Sequence, residues 1–176
     1  TWRSNPAIDD GRMGSAFGGA TAGWRGVTAA FSGAAAVEWS PGGVGDFDFA
    51  QLTATADWSM VSLYGHQIET SGYLLLPISG SVPRQRWSIL GGGGTLPTLE
   101  TGALRGDHLL FIRSAYVAPI RWLPLPVVGP PSLRLEHRAG SAWRTPDPVP
   151  SFHQNVGAGL QFLELDGVAG EWCAVG

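Results

Sequence analysis

Four histidines, fourteen carboxylates and a single cysteine, Cys173, are the first side chains to weigh for acid–base, nucleophilic or metal chemistry in this chain of 176 residues. Their spacing is unpromising. His66, His108, His137 and His153 show no His-x-x-x-His or other ligand spacing. Asp46 and Asp48 resemble a carboxylate pair, but between Gly45 and Phe47 they read as solvated acids at a strand end. His66 and Glu69 read as loop or lumen polarity, not as a metal pair. No Gly-x-Ser-x-Gly elbow is present, and Gly91 to Gly94 lack the spacing of a dinucleotide fingerprint. All 11 basic residues are Arg, which excludes a phosphate-binding loop and a Lys Schiff base. One cysteine permits no disulfide framework and no thiolate cluster. The expectation is a protein with no cofactor, no metal and no bond-making chemistry.

What such residues must be mounted on follows from composition. Only 14% of the chain is charged while 44% is hydrophobic, against about 25% charged in ordinary soluble domains. Eight Trp supply apolar surface that argues against disorder, despite 26 Gly and 13 Pro. A net charge of −3 provides no basic field for nucleic acid. The chain starts Thr1-Trp2-Arg3, which reads as a processed chain or a fragment.

No apolar run reaches the ~20 residues that a transmembrane helix needs. The period of the pattern is two. From Ala50 to Met60 the even positions Ala50, Leu52, Ala54, Ala56, Trp58 and Met60 are apolar, opposite Gln51, Thr53, Thr55 and Asp57. From Val27 to Trp39, the face with Phe31, Val37 and Trp39 opposes Thr28, Ser32 and Glu38. Tyr64 to Leu76, Ser132 to Trp143 and the segment around Val156 to Phe162 alternate in the same way. Turn signals separate them at Pro41-Gly42-Gly43, Gly91 to Gly94, Pro119 to Pro131 and Pro146 to Pro150. The prediction is an all-β antiparallel chain of about eight or nine strands without helix; the Ala-rich stretch near Ala34 is read as strand because of its aromatic and β-branched flanks.

Alternation alone fits two architectures. In a soluble sandwich the apolar face meets a second sheet. In a transmembrane β-barrel it meets lipid, with aromatic girdles at both interfaces. Low charge and strand-end Trp39, Trp58 and Trp143 favour the barrel, with Trp24, Trp87 and Trp172 also near proposed strand ends. The loops holding Asp46, Arg84, Arg86, Arg105 and Asp107 would then lie outside the bilayer. Gln51, Asp57, Glu69, Arg113, Arg134, Glu136 and Arg138 would be lumen-facing polar residues. The alternative is a secreted carbohydrate-binding sandwich carrying several Trp on one exposed face.

Five short segments in order sharpen this reading. Trp87 through Leu96, Gly106-Asp107, Ser114 to Ile120, Ala139 to Trp143 and Val156 to Phe162 resemble, over residues 47–170, the bacterial surface antigen family, the C-terminal barrel of outer-membrane assembly factors and two-partner-secretion transporters. That resemblance implies the C-terminal half of a larger barrel in the bacterial outer membrane, residues 1–176 forming a single segment. It also implies protein translocation across that membrane or insertion into it, guided without covalent catalysis. The implied partners are the lipid bilayer, client proteins and the remainder of the barrel, which should lie N-terminal to this segment.

By the same resemblance Gly91, Gly92, Gly93, Gly94, Thr95 and Leu96 open a loop that folds into the lumen. The family holds this loop by an Arg that meets an acid on each of two strands. Here Pro97, Ala115 and Arg138 stand at those three positions, so the whole charge cluster has been replaced together. Arg138 is expected to pair with Glu136, Glu69 or Asp57 instead. A simple porin-like barrel without a working loop is the alternative among membrane proteins.

Overall fold

The computed structural model describes residues 8–123, 131–148 and 152–161. Nine strands form: β1 (Ala16–Arg25), β2 (Ala29–Ser40), β3 (Phe49–Val61), β4 (Gln67–Gly80), β5 (Ser88–Leu90), β6 (Leu104–Gly106), β7 (His108–Pro119), β8 (Ser132–Trp143) and β9 (His153–Gln161). Seven build one antiparallel sheet in the order β1-β2-β3-β4-β7-β8-β9, and β5 pairs with β6 in a separate ribbon. The only other element among the described residues is a 3₁₀ turn at Arg84–Arg86. The Ala-rich stretch is strand β2, as expected from its flanks. Val27, Thr28 and Tyr64 belong to turns instead of the strands predicted for them, and Phe162 and Trp172 lie outside the described residues.

The sheet is a meander with an unequal pair of ends. At the turn end, residues 26–28 and 62–66 join neighbouring strands, and residues 120–123 follow β7. At the loop end, residues 41–48 and 81–107 do so and residues 144–148 follow β8; residues 81–107 are a long excursion carrying the 3₁₀ turn, β5 and β6. The described residues leave the sheet open, with β1 and β9 as its edges.

Register sorts the side chains by period two. Pairing brings Ser32, Asp57, Ser71, Arg113, Arg138 and Asn155 into one row, and Ala30, Ser59, Glu69, Ala115, Glu136 and Gly157 into the next. These rows belong to the polar face. On the opposite face, a row runs through Trp24, Phe31, Trp58, Thr70, Ser114, His137 and Val156. That face carries no Asp, Glu or Arg at any described strand position. Its large side chains stand in the open: Trp24 is 62% exposed, Trp39 54%, Leu160 53% and Val156 77%.

The packed core lies on the polar face, at the loop end. There Leu75, Leu90, Leu96, Leu109 and Ala142 are buried together, flanked by Tyr73, Leu99, Leu104 and Phe111. The excursion has folded back onto the sheet and covers the part of the polar face that is locally apolar. Alternation breaks where the cover sits: Tyr73-Leu74-Leu75-Leu76 and Leu109-Leu110-Phe111-Ile112 are continuous apolar runs, the pattern of strands buried on both faces.

Two glycines permit this close approach. A Cβ on Gly140 of β8 would meet Leu90 Cδ2 at 2.9 Å, and one on Gly106 of β6 would meet the Trp143 carbonyl oxygen at 1.8 Å. Gly106→Ala is therefore expected to displace β6 and to cost about 3 kcal/mol or more by overpacking against backbone. Gly140→Ala should cost less, because its tightest contact is the movable end of Leu90 and it would meet backbone, the Leu110 carbonyl oxygen, only at 3.0 Å. Urea midpoints of the two variants, compared with the parent, test that ranking.

Candidate functional site: the polar face and its docked excursion

Strand β8 reads Arg134-Leu135-Glu136-His137-Arg138, so period two places Arg134, Glu136 and Arg138 on the polar face. Register then sets Arg113 of β7 directly opposite Arg138, a like-charge pair that would repel without an intervening acid. Glu136 is that acid. Its Oε1 accepts from Arg113 Nε at 3.0 Å and its Oε2 from Arg113 Nη2 at 3.1 Å, a two-bond fork. Its Oε2 also accepts from Arg134 Nε at 3.2 Å, and Arg138 Nε donates to Oε1. Arg134 Nη2 reaches across two strands to Glu69 Oε2 at 2.9 Å.

One carboxylate thus organises three guanidinium groups. Counting Glu69, the contacting cluster holds three positive and two negative charges. Three of its members, Glu69, Arg113 and Arg134, line a hollow of about 660 Å³ at the turn end, along with Arg25, Ser32, Asp57, Ser59 and Ser71.

Arg138 also holds the excursion. Its Nη1 donates to the carbonyl oxygens of Gly93 (2.7 Å) and Thr95 (3.2 Å). Of the pairings expected from the sequence, Arg138 makes the one with Glu136, while Glu69 goes to Arg134. A cation on the strand now meets backbone carbonyls of the loop. Asn155 of β9 adds a second tether, its Nδ2 donating to Thr98 Oγ1 at 2.6 Å.

The glycine run is ordered, not loose. Gly91 N–H donates to Thr95 Oγ1 at 2.9 Å, Gly92 N–H to the carbonyls of Leu96 and Leu99 at 3.1 and 3.0 Å, and Leu99 N–H to that of Leu96 at 3.0 Å. These bonds close a compact knot that turns Leu96 onto the sheet, where it is fully buried beside exposed Pro97. Gly93 and Gly94 have open space around them.

At its N-terminal base the excursion is pinned by an ion pair, Arg86 Nη2 to Glu38 Oε1 at 2.9 Å, with Ser15 Oγ donating to the same oxygen at 2.7 Å. Trp87 donates its ring N–H to the Val82 carbonyl at 3.0 Å and belongs to the excursion, not to a belt on the apolar face. Asp107 Oδ1 accepts from Thr145 N–H at 3.0 Å and bonds His108, whose ring stacks on Trp143 with centroids 4.9 Å apart.

All seven polar residues selected from the sequence fall on one face. Asp57, Glu69, Arg113, Arg134, Glu136 and Arg138 gather toward its middle and turn end, whereas Gln51 is buried at the loop end. Trp39, Trp58 and Trp143 all fall on the other face. Because β2 and β3 are antiparallel, Trp39 stands at the loop end and Trp58 at the turn end. Asp46 does local work, its Oδ2 accepting from Arg12 N–H at 2.7 Å. His66 bonds the Tyr116 hydroxyl at 2.5 Å and not Glu69. Glu38 with Arg86, and Asn155 with Thr98, were not singled out in the sequence. Neither pair has a local signature, since its members are 48 and 57 residues apart.

Among the described residues no group of three or more His, Cys, Asp or Glu could hold a metal ion, and no helix is long and apolar enough to cross a membrane.

Arg138→Ala should detach the loop tip while leaving the sheet intact, since it removes one of two facing cations along with the tether. Loss of about 1–3 kcal/mol is expected from its charge-assisted bonds. Arg138→Lys should recover part of this, because an ammonium cannot fork between Glu136 and the carbonyls. The check is hydrogen exchange at Gly92, Thr95 and Leu99, which should speed up while β3 amides do not.

These elements define an all-β protein built on an antiparallel sheet, with charge on one face and exposed apolar side chains on the other. No family model, no curated protein and no solved structure matches the chain.

Proposed function

We propose that this chain is the C-terminal part of an outer-membrane β-barrel of the surface antigen type, which moves proteins across that membrane or inserts them into it. The observation that carries the reading is where the extra chain went. In a soluble sandwich the elements outside the main sheet would cover the apolar face. Here the 3₁₀ turn, β5 and β6 pack on the polar face, and the apolar face is left bare. Lipid is the medium in which a bare, uncharged face is stable.

Dimensions agree with that medium. The main-sheet strands run from 9 to 14 residues, within reach of the ~9–11 residues a tilted spanning strand needs. Phe31 and Trp39 on β2 mark the two aromatic rows, separated by about 26 Å at ~3.3 Å per residue.

Parity adds a constraint. Seven strands in a meander leave β1 and β9 pointing the same way. An antiparallel ring built on this sheet must therefore include an odd number of further strands, giving an even total. The contacts around the excursion support the transport reading over a plain pore. A loop seated on the polar face, tethered by Arg138 and Asn155 and packed through Leu96, is a device for occupying a lumen.

The test is membrane fractionation of the native full-length gene product, with gel mobility before and after heating. Recovery in the outer membrane with a heat-dependent shift is expected. A soluble, detergent-independent monomer overturns the reading in favour of the sandwich. A client-release assay unaffected by deleting Gly91 to Glu100 would leave a porin-like barrel.

A further inference from the structure

Most charges on the polar face of the main sheet have a partner built into the protein. Glu38 pairs with Arg86, Glu69 with Arg134, and Glu136 with Arg113, Arg134 and Arg138. Two charged side chains of that face remain, Arg25 on β1 and Asp57 on β3. Both are exposed, and neither has a hydrogen bond or ion pair with any described residue. They carry opposite signs, and both line the same hollow of about 660 Å³.

Arg25 and Asp57 do not neutralise each other because β2 lies between them. Register sets Arg25 opposite Ala30 and Ala30 opposite Ser59, and Asp57 stands two residues along from Ser59. At ~4.8 Å per strand and ~3.3 Å per residue, their Cα atoms are about 12 Å apart. The side chains around them are small or hydroxylic: Ala30, Ser32, Ser59 and Ser71. Arg113 and Arg134 bound the hollow on its other side, where Glu136 and Glu69 already hold them.

We infer that the hollow is a docking site for an extended polypeptide segment carrying one basic and one acidic side chain, the basic one received by Asp57 and the acidic one by Arg25. The choice of a polypeptide rests on the transport reading above and adds which client segments the polar face holds. The chemistry fits at each point. Asp57 lies between Ser32 and Ser71 in its row, so an ammonium there meets a carboxylate flanked by two hydroxyls. The Arg25 guanidinium can fork onto a carboxylate. In an extended chain, side chains two residues apart share a side at ~6.6 Å. A Lys and a Glu so placed reach outward to both receivers, with Arg25 itself supplying part of the span. The sheet's own backbone groups are used in the ladder, which leaves the serine hydroxyls to meet the client's amides. The volume lies within the ~300–1,000 Å³ of ordinary ligand sites.

The test uses the full-length gene product in non-ionic detergent at low salt, with four serine-rich peptides acetylated, amidated and labelled with a neutral fluorophore. One carries Lys-Ser-Glu, one Lys alone, one Glu alone and one no charge. Binding is read by fluorescence anisotropy. A partly exposed ion pair is worth up to about fivefold in affinity. The Lys-Ser-Glu peptide should therefore bind at least fivefold more tightly than the uncharged one, and more tightly than either singly charged one. D57N should weaken both Lys-bearing peptides by about threefold to fivefold and leave the Glu-only peptide unchanged. R25Q should do the reverse, weakening both Glu-bearing peptides and sparing the Lys-only one. Because neither residue has a partner to lose, both variants keep the cluster around Glu136. Peptides that bind alike whatever their charge overturn the inference, as do variants that weaken all four peptides equally or none. The membrane reading then still stands or falls by the fractionation experiment alone.

Discussion

Leu96→Asp is expected to lift the excursion off the sheet without unfolding the sheet. Leu96 is fully buried among Leu75, Leu90, Leu109 and Ala142. Truncating such a leucine to alanine costs about 2–5 kcal/mol, and an unpaired carboxylate at the site costs more. The remaining tethers, Arg138 to two carbonyls and Asn155 to Thr98, sit at the partly exposed rim and are too few to offset that loss. The seven-stranded ladder does not pass through β5 or β6, so its hydrogen bonds survive.

Amides of Gly92, Leu99 and Ala103 should lose protection while those of β3 and β4 keep it. Limited proteolysis should cut within residues 91–103. Loss of protection throughout the sheet would show that the excursion is part of the folding core, and unchanged protection would show that Leu96 is not its anchor. Under the proposed function the same variant, reconstituted as the whole barrel, should conduct ions more readily than the parent.

Glu136→Gln should be the most damaging single change on the polar face. Its side chain is 14% exposed, and those of Arg134 and Arg138 are 10% and 20% exposed. Removing the carboxylate leaves three guanidinium groups facing one another with only Glu69 nearby. Breaking a buried pair costs about 3–5 kcal/mol; with Arg113 41% exposed, the lower end of that range is expected. Adding Arg113→Met should restore about 1 kcal/mol, because it removes a cation whose partner is gone. The measurement is the urea midpoint of the parent, both single variants and the double variant. Additive losses would mean that Glu136 and Arg113 are not coupled, contrary to the two bonds between them.

Much of the strand architecture was legible in the residues because period-two alternation is a local property. Ala50 to Met60 announces β3 almost to its bounds, and Ser132 to Trp143 is β8. The side on which Asp57, Glu69, Arg113, Arg134, Glu136 and Arg138 stand follows from the same parity once the strands pair in sequence order. The run Arg134-Leu135-Glu136-His137-Arg138 already suggested the Arg138 to Glu136 contact, since residues two apart on a strand share a face.

Tertiary structure decided what parity cannot express. Whether a long excursion folds over the apolar face, the polar face or neither depends on contacts between residues far apart in the chain. The interruption of alternation at Tyr73 to Leu76 and Leu109 to Ile112 marked the covered region, but not what would cover it. Leu90 and Leu96 supply the cover only because Gly140 lacks a side chain and lets them approach. Glu38 meets Arg86, and Arg138 meets the carbonyls of Gly93 and Thr95, because the folded excursion brings them together. Alternation along each strand, composition and the separation of charge from apolar side chains were determined by the sequence alone. The choice of face and the binding of the glycine loop by Arg138 required the assembled sheet, because each depends on which distant residues the strand register makes neighbours.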